Sequence, residues 1–153
     1  MSKETIQKHV DIRNRRASFE FHFLETFTAG MVLTGTEIKS IRQGKINLTD
    51  AYCLFHDEGL VVRQMHISAY NEGTHYNHDP LRDRILLLQK REIKKLLNKV
   101  KDVGLTIVPT RLYISDRGFA KLEIALAKGK KLFDKREGIK EKDIKREMSR
   151  SVE

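Results

Sequence analysis

The sequence predicts a mainly β fold: a small antiparallel barrel with two or three flanking helices and a basic C-terminal tail. Three observations carry this. Runs of β-rich residues follow one another without regular helical crossovers, which argues for antiparallel pairing. Two pairs of runs fold about turn-forming triplets, Asp57-Glu58-Gly59 and Asp116-Arg117-Gly118, as hairpins. The 153 residues are one domain's worth, and a domain of this size buries roughly 68–70% of its unfolded surface without metals or disulfides.

Residues 1–14 read as a polar arm. In FEFHFLETF the side chains Phe19, Phe21 and Phe23 recur at period two, and AGMVLTG follows after a short break, which predicts two strands. Such a phenyl row either fills a core or forms a platform on which bases stack. Thr34 and Glu37 have the spacing of a capping box and open a helix, TEIKSIRQ, that Gly44 can end in a left-handed conformation. AYCLFHDEGLVVRQMHISAY is the first hairpin, with Gly59 available for positive φ. After the loop NEGTHYNHDP, ILLL is a buried strand. Ile93, Leu96, Leu97, Val100 and Val103 then keep the spacing of an amphipathic helix with one face on the sheet, closed by Gly104. TIVPTRLYISDRGFAKLEIALAKG is the longer hairpin, with Leu122, Ile124 and Leu126 pointing inward and Pro109 marking an edge or bulge. The domain is thus 15–127 and the tail 128–153. Greek-key strands, an inserted helix and a surface that nucleic acid can follow make an oligonucleotide-binding-type barrel the natural candidate.

Charge points to the partner. Thirty basic against twenty-one acidic residues leave a net +9, which favours a polyanion. The basic residues cluster at Arg13, Arg15 and Arg16, at Lys39, Arg42 and Lys45, at Arg82 and Arg84, and at Lys128, Lys130, Lys131, Lys135 and Arg136. Guanidinium and ammonium groups neutralise phosphates and release counterions whatever the base sequence. The single cysteine, Cys53, lies in an apolar run, so the chain forms no internal disulfide and suits a reducing compartment. The sequence shows neither a signal-peptide stretch nor an apolar run of membrane-spanning length, which predicts a cytoplasmic protein without a membrane partner.

No nucleophile elbow or HExxH zinc motif is present. Gly129-Lys130-Lys131 is a poor match to a phosphate loop, because position 124 is Ile instead of Gly and position 131 is Lys instead of Ser or Thr. His75, His78 and Asp79 could begin a metal site, but no compact set of further ligands accompanies them. No catalytic residue, metal or cofactor is therefore assigned. Taken by themselves the residues leave open a general RNA-binding barrel of the translation machinery, and a metal-dependent RNA-processing enzyme built on those three side chains.

Specific strings narrow this. GTEIKSIRQGKINLTDAY, MHISAYNEGTHYNHDPLRDRILLL and AKGKKLFDKREGIK resemble, in order and spacing, the signature segments of the SsrA-binding protein (SmpB) family, from about Asn14 into the tail. The resemblance implies an oligonucleotide-binding-like barrel that binds the tRNA-like domain of transfer-messenger RNA and brings it to stalled ribosomes for trans-translation, without covalent chemistry and as a monomer when free. It implies RNA-facing roles for Asn14, Arg15, Arg16, Glu37, Lys39, Ser40, Arg42, Gly44, Lys45, Asn47, His78, Arg82 and Arg84; of these, Glu37, Gly44 and Asn47 also read as a cap, a helix stop and a turn group. It implies that Lys128, Gly129, Lys130, Lys131, Phe133, Asp134, Lys135, Arg136, Ile139 and Lys140 enter the small-subunit decoding centre and the empty message channel. Thr28, Ala69, Ile85 and Lys142 depart from residues common in the family.

The tail from Lys128 to Glu153 holds ten Lys or Arg and six Asp or Glu. Glu141 with Lys145, and Glu147 with Arg150, support a helix, while Ile144, Met148 and Val152 form only a thin apolar stripe. A segment so poor in apolar surface does not offset its own ordering entropy, which predicts disorder alone and helix when bound. Phe133, the tail's one aromatic, either folds back on the barrel or stacks on a base of the ribosome.

Overall fold

The computed structural model describes residues 10–57, 59–71, 77–102 and 104–131, and these form three helices and nine strands. In chain order they are β1 (Asp11–Arg13), α1 (Arg15–Glu20), β2 (Phe21–Met31), α2 (Gly35–Arg42), β3 (Ile46–Asn47), β4 (Tyr52–His56), β5 (Gly59–Arg63), β6 (His66–Ile67), β7 (Arg84–Leu87), α3 (Lys90–Lys99), β8 (Leu105–Ile114) and β9 (Ala120–Gly129). Strands β8, β4, β5, β7, β2 and β9 follow one another by hydrogen bonding, and β9 pairs back to β8, so the antiparallel sheet closes into a barrel. Closure leaves no open edge within the ring. β3 and β6 form a separate two-stranded ribbon, and β1 adds to the upper half of β8.

The core is the barrel interior. Leu122, Ile124 and Leu126 of β9 point into it, opposite Phe27 and Ala29 of β2, Leu60 and Val62 of β5, and Ile107 and Leu112 of β8. Cys53 is buried among them, and burial pushes its thiol pKa up. Ile41 of α2 and Leu96 of α3 are both fully buried against this core, so each helix is fixed to the barrel by an apolar anchor.

Several local expectations give way. Phe19 belongs to α1 instead of a strand, because Asn14 caps a helix whose Ala17 and following Phe21 pack on Val108 and Ala127 outside the barrel. The two strands expected before and after Phe27 are one eleven-residue strand. A bulge between Phe23 and Glu25 shifts its register, so Phe21 and Phe23 pair with the outward positions Gly129 and Ala127 while Phe27 faces the core. Phe23 remains partly exposed. In the first hairpin the positive φ, 48°, is at Asp57 and not at Gly59; aspartate tolerates that region because its short polar side chain can hydrogen-bond locally. The end of the N-terminal arm joins the sheet as β1. Pro109 sits at a bulge of β8, where its missing N–H leaves the ladder intact on either side. Leu97, expected on the buried face of α3, is largely exposed.

Leu96 is the one residue of α3 that is fully enclosed. Its replacement by Ala should therefore destabilise the domain by about 2–5 kcal/mol, read as a lower urea midpoint with an unchanged slope; a loss under about 0.5 kcal/mol would mean that α3 is held by its charges and not by this side chain.

Candidate nucleic-acid interface

α2 begins with the capping box read from the sequence: the Thr34 hydroxyl accepts the Glu37 amide and the Glu37 carboxylate accepts the Thr34 amide. The same carboxylate is fully buried and also receives two guanidinium groups. Arg82 donates to Oε1 and, through Nε, to Oε2 at 3.3 Å, while Arg84 donates to Oε2 at 2.5 Å. Arg84 is itself fully enclosed, and its remaining N–H groups reach the carbonyls of Met65, Asp79 and Pro80. Three otherwise separate pieces of chain, around residues 34–37, 65 and 79–84, are thus tied to one point.

A second tie runs beside it. His78 donates from Nε2 to the Ile67 carbonyl at 2.9 Å, since a carbonyl can only accept, and its Nδ1 shares a hydrogen bond with the Thr36 hydroxyl at 2.9 Å. Asn77 brackets Tyr70 with two hydrogen bonds between its side chain and the Tyr70 backbone, and Lys39 of α2 sits 5.5 Å from the Tyr70 ring centre. Gly44, at φ 72°, turns the chain out of α2 where a side chain would be strained, and leads into the β3–β6 ribbon beside the Lys45 carbonyl, which accepts the Ser68 amide.

The result sorts the expected RNA-facing residues into two kinds. Lys39, Arg42 and Lys45 are exposed on and just after α2, and Arg15 and Arg16 are exposed on α1, Arg16 paired with Glu20 and Asp50. Asn14, Glu37, Ser40, His78 and Arg84 are buried. For Asn14 and Arg84 the expectation of a direct RNA contact gives way to a supporting role. The Asn14 side chain accepts the Ala17 amide and donates to the Leu48 and Pro109 carbonyls, and Arg84 lies in the core. The one-face spacing of Arg82 and Arg84 is real, but it aims both at Glu37. Asn47 accepts the Thr49 amide, a turn contact. The Ser40 hydroxyl finds no hydrogen-bond partner among the described residues. Lys128 and Gly129 end β9, and the next residue, Lys130, is bonded through its amide to the Glu20 carbonyl and through Nζ to the Ser18 carbonyl. Phe133, Asp134, Lys135, Arg136, Ile139, Lys140 and the histidine His75 lie outside the described residues.

Beside Arg42 the structure adds three residues that the sequence reading missed. A groove of about 460 Å³ is floored by Met31, Leu33, Ile38 and Leu87 and rimmed by Phe119, Arg42, Arg117 and Lys121. Phe119 is 62% exposed, and it is held firmly at the hairpin tip: its amide donates to the Ser115 hydroxyl, its carbonyl accepts the Ser115 amide, and Gly118 takes the positive φ of 87°. An exposed phenyl ring on an apolar groove, flanked by cations, has the form of a site for an unstacked base and its phosphates. The sequence signal was present in Arg117-Gly118-Phe119: an aromatic at the tip of a tight hairpin has no core to enter. Among the described residues, no group of three or more His, Cys, Asp or Glu could hold a metal ion, and no helix is long and apolar enough to cross a membrane.

Residues 11–153 match the model of the SmpB protein family. The chain is 57% identical over 150 residues to the SsrA-binding protein of Cytophaga hutchinsonii, covering 98% of each chain, and 50% identical to that of Bacillus cereus, covering 91% of this chain and 89% of the relative. It is also similar to a solved chain from a study of tmRNA–SmpB at the centre of the bacterial ribosome, with a TM-score of 0.69 and 42% identity over 85% of this chain and 94% of the other.

The Glu37 cluster has a measurable signature in stability. Burial pushes the Glu37 carboxyl pKa up, but hydrogen bonds from Arg82, the Thr34 amide and Arg84 outweigh it and hold the pKa below the usual 4.5. A carboxyl with a depressed folded pKa contributes stability above its unfolded pKa and loses it as pH falls through the folded one. Denaturant titrations taken downward from neutral pH should show stability declining below about 4.5, a decline that Glu37→Gln reduces. At neutral pH, Glu37→Ala should cost about 3–5 kcal/mol by leaving Arg84 buried and unpaired; a cost under about 1 kcal/mol would mean that solvent already screens the cluster.

Proposed function

The chain belongs to the SmpB protein family, and from that premise we propose that it binds the tRNA-like domain of transfer-messenger RNA and carries that RNA to stalled ribosomes for trans-translation. The single observation that carries this reading is the groove at Phe119. It joins an exposed aromatic ring to Arg42, Arg117 and Lys121 on a surface whose backbone is fixed on the hairpin side by the Ser115–Phe119 hydrogen bonds and on the α2 side by the buried Glu37–Arg84 pair. Fixed backbone matters because a preorganised surface gives up little conformational freedom on binding. Lys39 and Lys45 extend the cationic area along α2 and its exit turn, where they neutralise phosphate.

On this reading the protein acts by binding alone, in the cytoplasm, and its own residues supply no covalent step. RNA-facing contacts come from Arg15, Arg16, Lys39, Arg42, Lys45 and the Phe119 groove, while Asn14, Glu37, His78 and Arg84 hold the backbone from inside. The tail supplies the second half of the activity. A message channel emptied of its message is walled by ribosomal phosphate, so the cations of Lys128, Lys130, Lys131, Lys135 and Arg136 can take the place of the counterions there without reading sequence. Phe133 supplies the ring that stacks in the vacant decoding site, and the residues beyond Gly138 become helical on binding.

Three measurements test this. RNA copurified with the protein from its own cells should be dominated by one transfer-messenger RNA; a broad mixture of tRNA and rRNA would support a general RNA-binding barrel instead. A chain ending at Lys131, which keeps β9 and the Lys130–Glu20 contact, should bind transfer-messenger RNA within about threefold of the full chain and fail to support tagging. A loss of ~100-fold, about 2.8 kcal/mol, would put the principal RNA site in the tail. Phe119→Ala should weaken RNA binding by roughly 1–3 kcal/mol in a filter-binding titration while leaving the melting temperature in place, and a melting temperature that falls with it would return Phe119 to a packing role.

A further inference from the structure

α1 ends without a cation of its own, since no basic residue stands in its last turn. The last four carbonyls of a helix lack a partner inside it, and in α1 they begin at Ala17. The amide of the C-cap, Phe21, takes the Ala17 carbonyl. Two of the other three are met from far along the chain. The Lys130 amide donates to the Glu20 carbonyl at 2.8 Å, and Nζ of the same residue donates to the Ser18 carbonyl at 3.2 Å across a separation of 112 residues. An ammonium group placed there satisfies an orphan carbonyl and also lies at the negative end of the helix dipole. Lys130 is accordingly half-buried, whereas Lys128 and Lys131 are exposed.

The seat that receives Lys130 is itself fixed. The Asn14 side chain caps the start of α1 and donates to the Leu48 and Pro109 carbonyls. Arg16 bonds Glu20 at 3.2 Å and Asp50 at 2.8 Å, and Ala17 and Phe21 pack on Val108 and Ala127. β9 arrives at this seat in register, with Lys128 opposite both His22 and Leu105, and Gly129 opposite Phe21. The Lys130 amide bond therefore extends the β2–β9 ladder one step beyond the strand. Gly129 is the place where the chain could swivel most readily, and the two bonds made by the next residue hold it there.

We propose that Lys130 is a positioning residue: by clasping the carboxyl end of α1 it fixes where, and in which direction, the tail leaves the barrel. The inference rests on the reading that the tail enters the ribosome, and deepens it. Phe133 is three residues further on, at most about 11 Å of chain, so a fixed Lys130 confines the space into which that ring and the cations after it are delivered. Confinement raises the effective concentration of the tail at its site, as shortening a linker does. Lys130 shares its charge with the other tail cations, but its place sets it apart from them. Because Arg15 and Arg16 belong to the same helix, the clasp also ties the root of the tail to cations that face RNA.

The test compares Lys130→Met, Lys130→Arg and, as a control for lost charge, Lys128→Met, each in the full chain. Amide hydrogen exchange on the free protein reads the clasp directly. Exchange at residue 130 should speed up at least about fivefold in Lys130→Met and stay within about twofold of the parent in Lys130→Arg, which keeps a cationic donor, and in Lys128→Met. Each variant is then loaded with transfer-messenger RNA and scored for tagging on purified stalled ribosomes. Lys130→Met should bind the RNA within about threefold of the parent, melt at the parent's temperature, and tag at least about fivefold more slowly, while Lys128→Met loses no more than about twofold and Lys130→Arg restores the rate. Equal losses in Lys130→Met and Lys128→Met would overturn the proposal and leave Lys130 as one more cation in the channel. Unchanged exchange at residue 130 in Lys130→Met would overturn it too, because the side chain would then not be holding the chain in place. A parent chain that fails to support tagging would instead refute the proposed function, while exchange at residue 130 still decides the clasp.

Discussion

The exposed cations on and just after α2 depend for their placement on one buried carboxylate. Glu37 sits in the first turn of α2, where its carboxylate closes the capping box, and its two oxygens receive Arg84 from the core and Arg82 from the surface. A charge pair taken out of water repays its desolvation only if the remaining donors and acceptors are satisfied, and here they are: Arg84 also reaches three backbone carbonyls, and Glu37 also accepts the Thr34 amide. An apolar pair of equal volume could fill that space. It could not bind carbonyls from Met65, Asp79 and Pro80 to the first turn of α2. The ion pair therefore fixes how α2, the β3–β6 ribbon and the start of β7 lie relative to one another, and Lys39, Arg42 and Lys45 inherit their positions from it.

This division between charges that orient and charges that face outward limited what the sequence could reveal. The barrel, its two hairpins, the α2 capping box and the inward row of β9 were all legible, because each follows from a local pattern: period two, a turn triplet, or a four-residue cap. The bulge between Phe23 and Glu25 was not legible. It replaces one continuous alternation with two, and nothing in FEFHFLETF marks the extra residue. Asn14 likewise reads as a polar residue at the end of an arm, and only its contacts with Leu48 and Pro109, both distant in sequence, show why it is enclosed.

Arg84 was the hardest case. An arginine two residues from another, at the head of a strand, has the spacing of a phosphate-binding pair, and arginine is rarely found fully buried. What decides its fate is a carboxylate 47 residues earlier in the chain, and pairing over that distance leaves no periodic trace. Phe119 was missed for the opposite reason. Its neighbours identify a tight turn, but alternation along β9 gave no reason to look beyond the strand, and only the closed barrel shows the ring standing over a groove with Arg42 beside it.

The most direct test of this account asks how Arg84 influences RNA, through the backbone or through a phosphate. The slope of log affinity against log salt falls by roughly 0.7–0.9 for each phosphate contact that is lost. For Arg84→Met, measured against transfer-messenger RNA beside Arg42→Ala, the account predicts weaker binding with the parent's slope, whereas Arg42→Ala should show the reduced slope of a lost contact. A slope reduced in Arg84→Met by the same amount would contradict it, since the guanidinium would then have to leave Glu37 and meet the RNA itself.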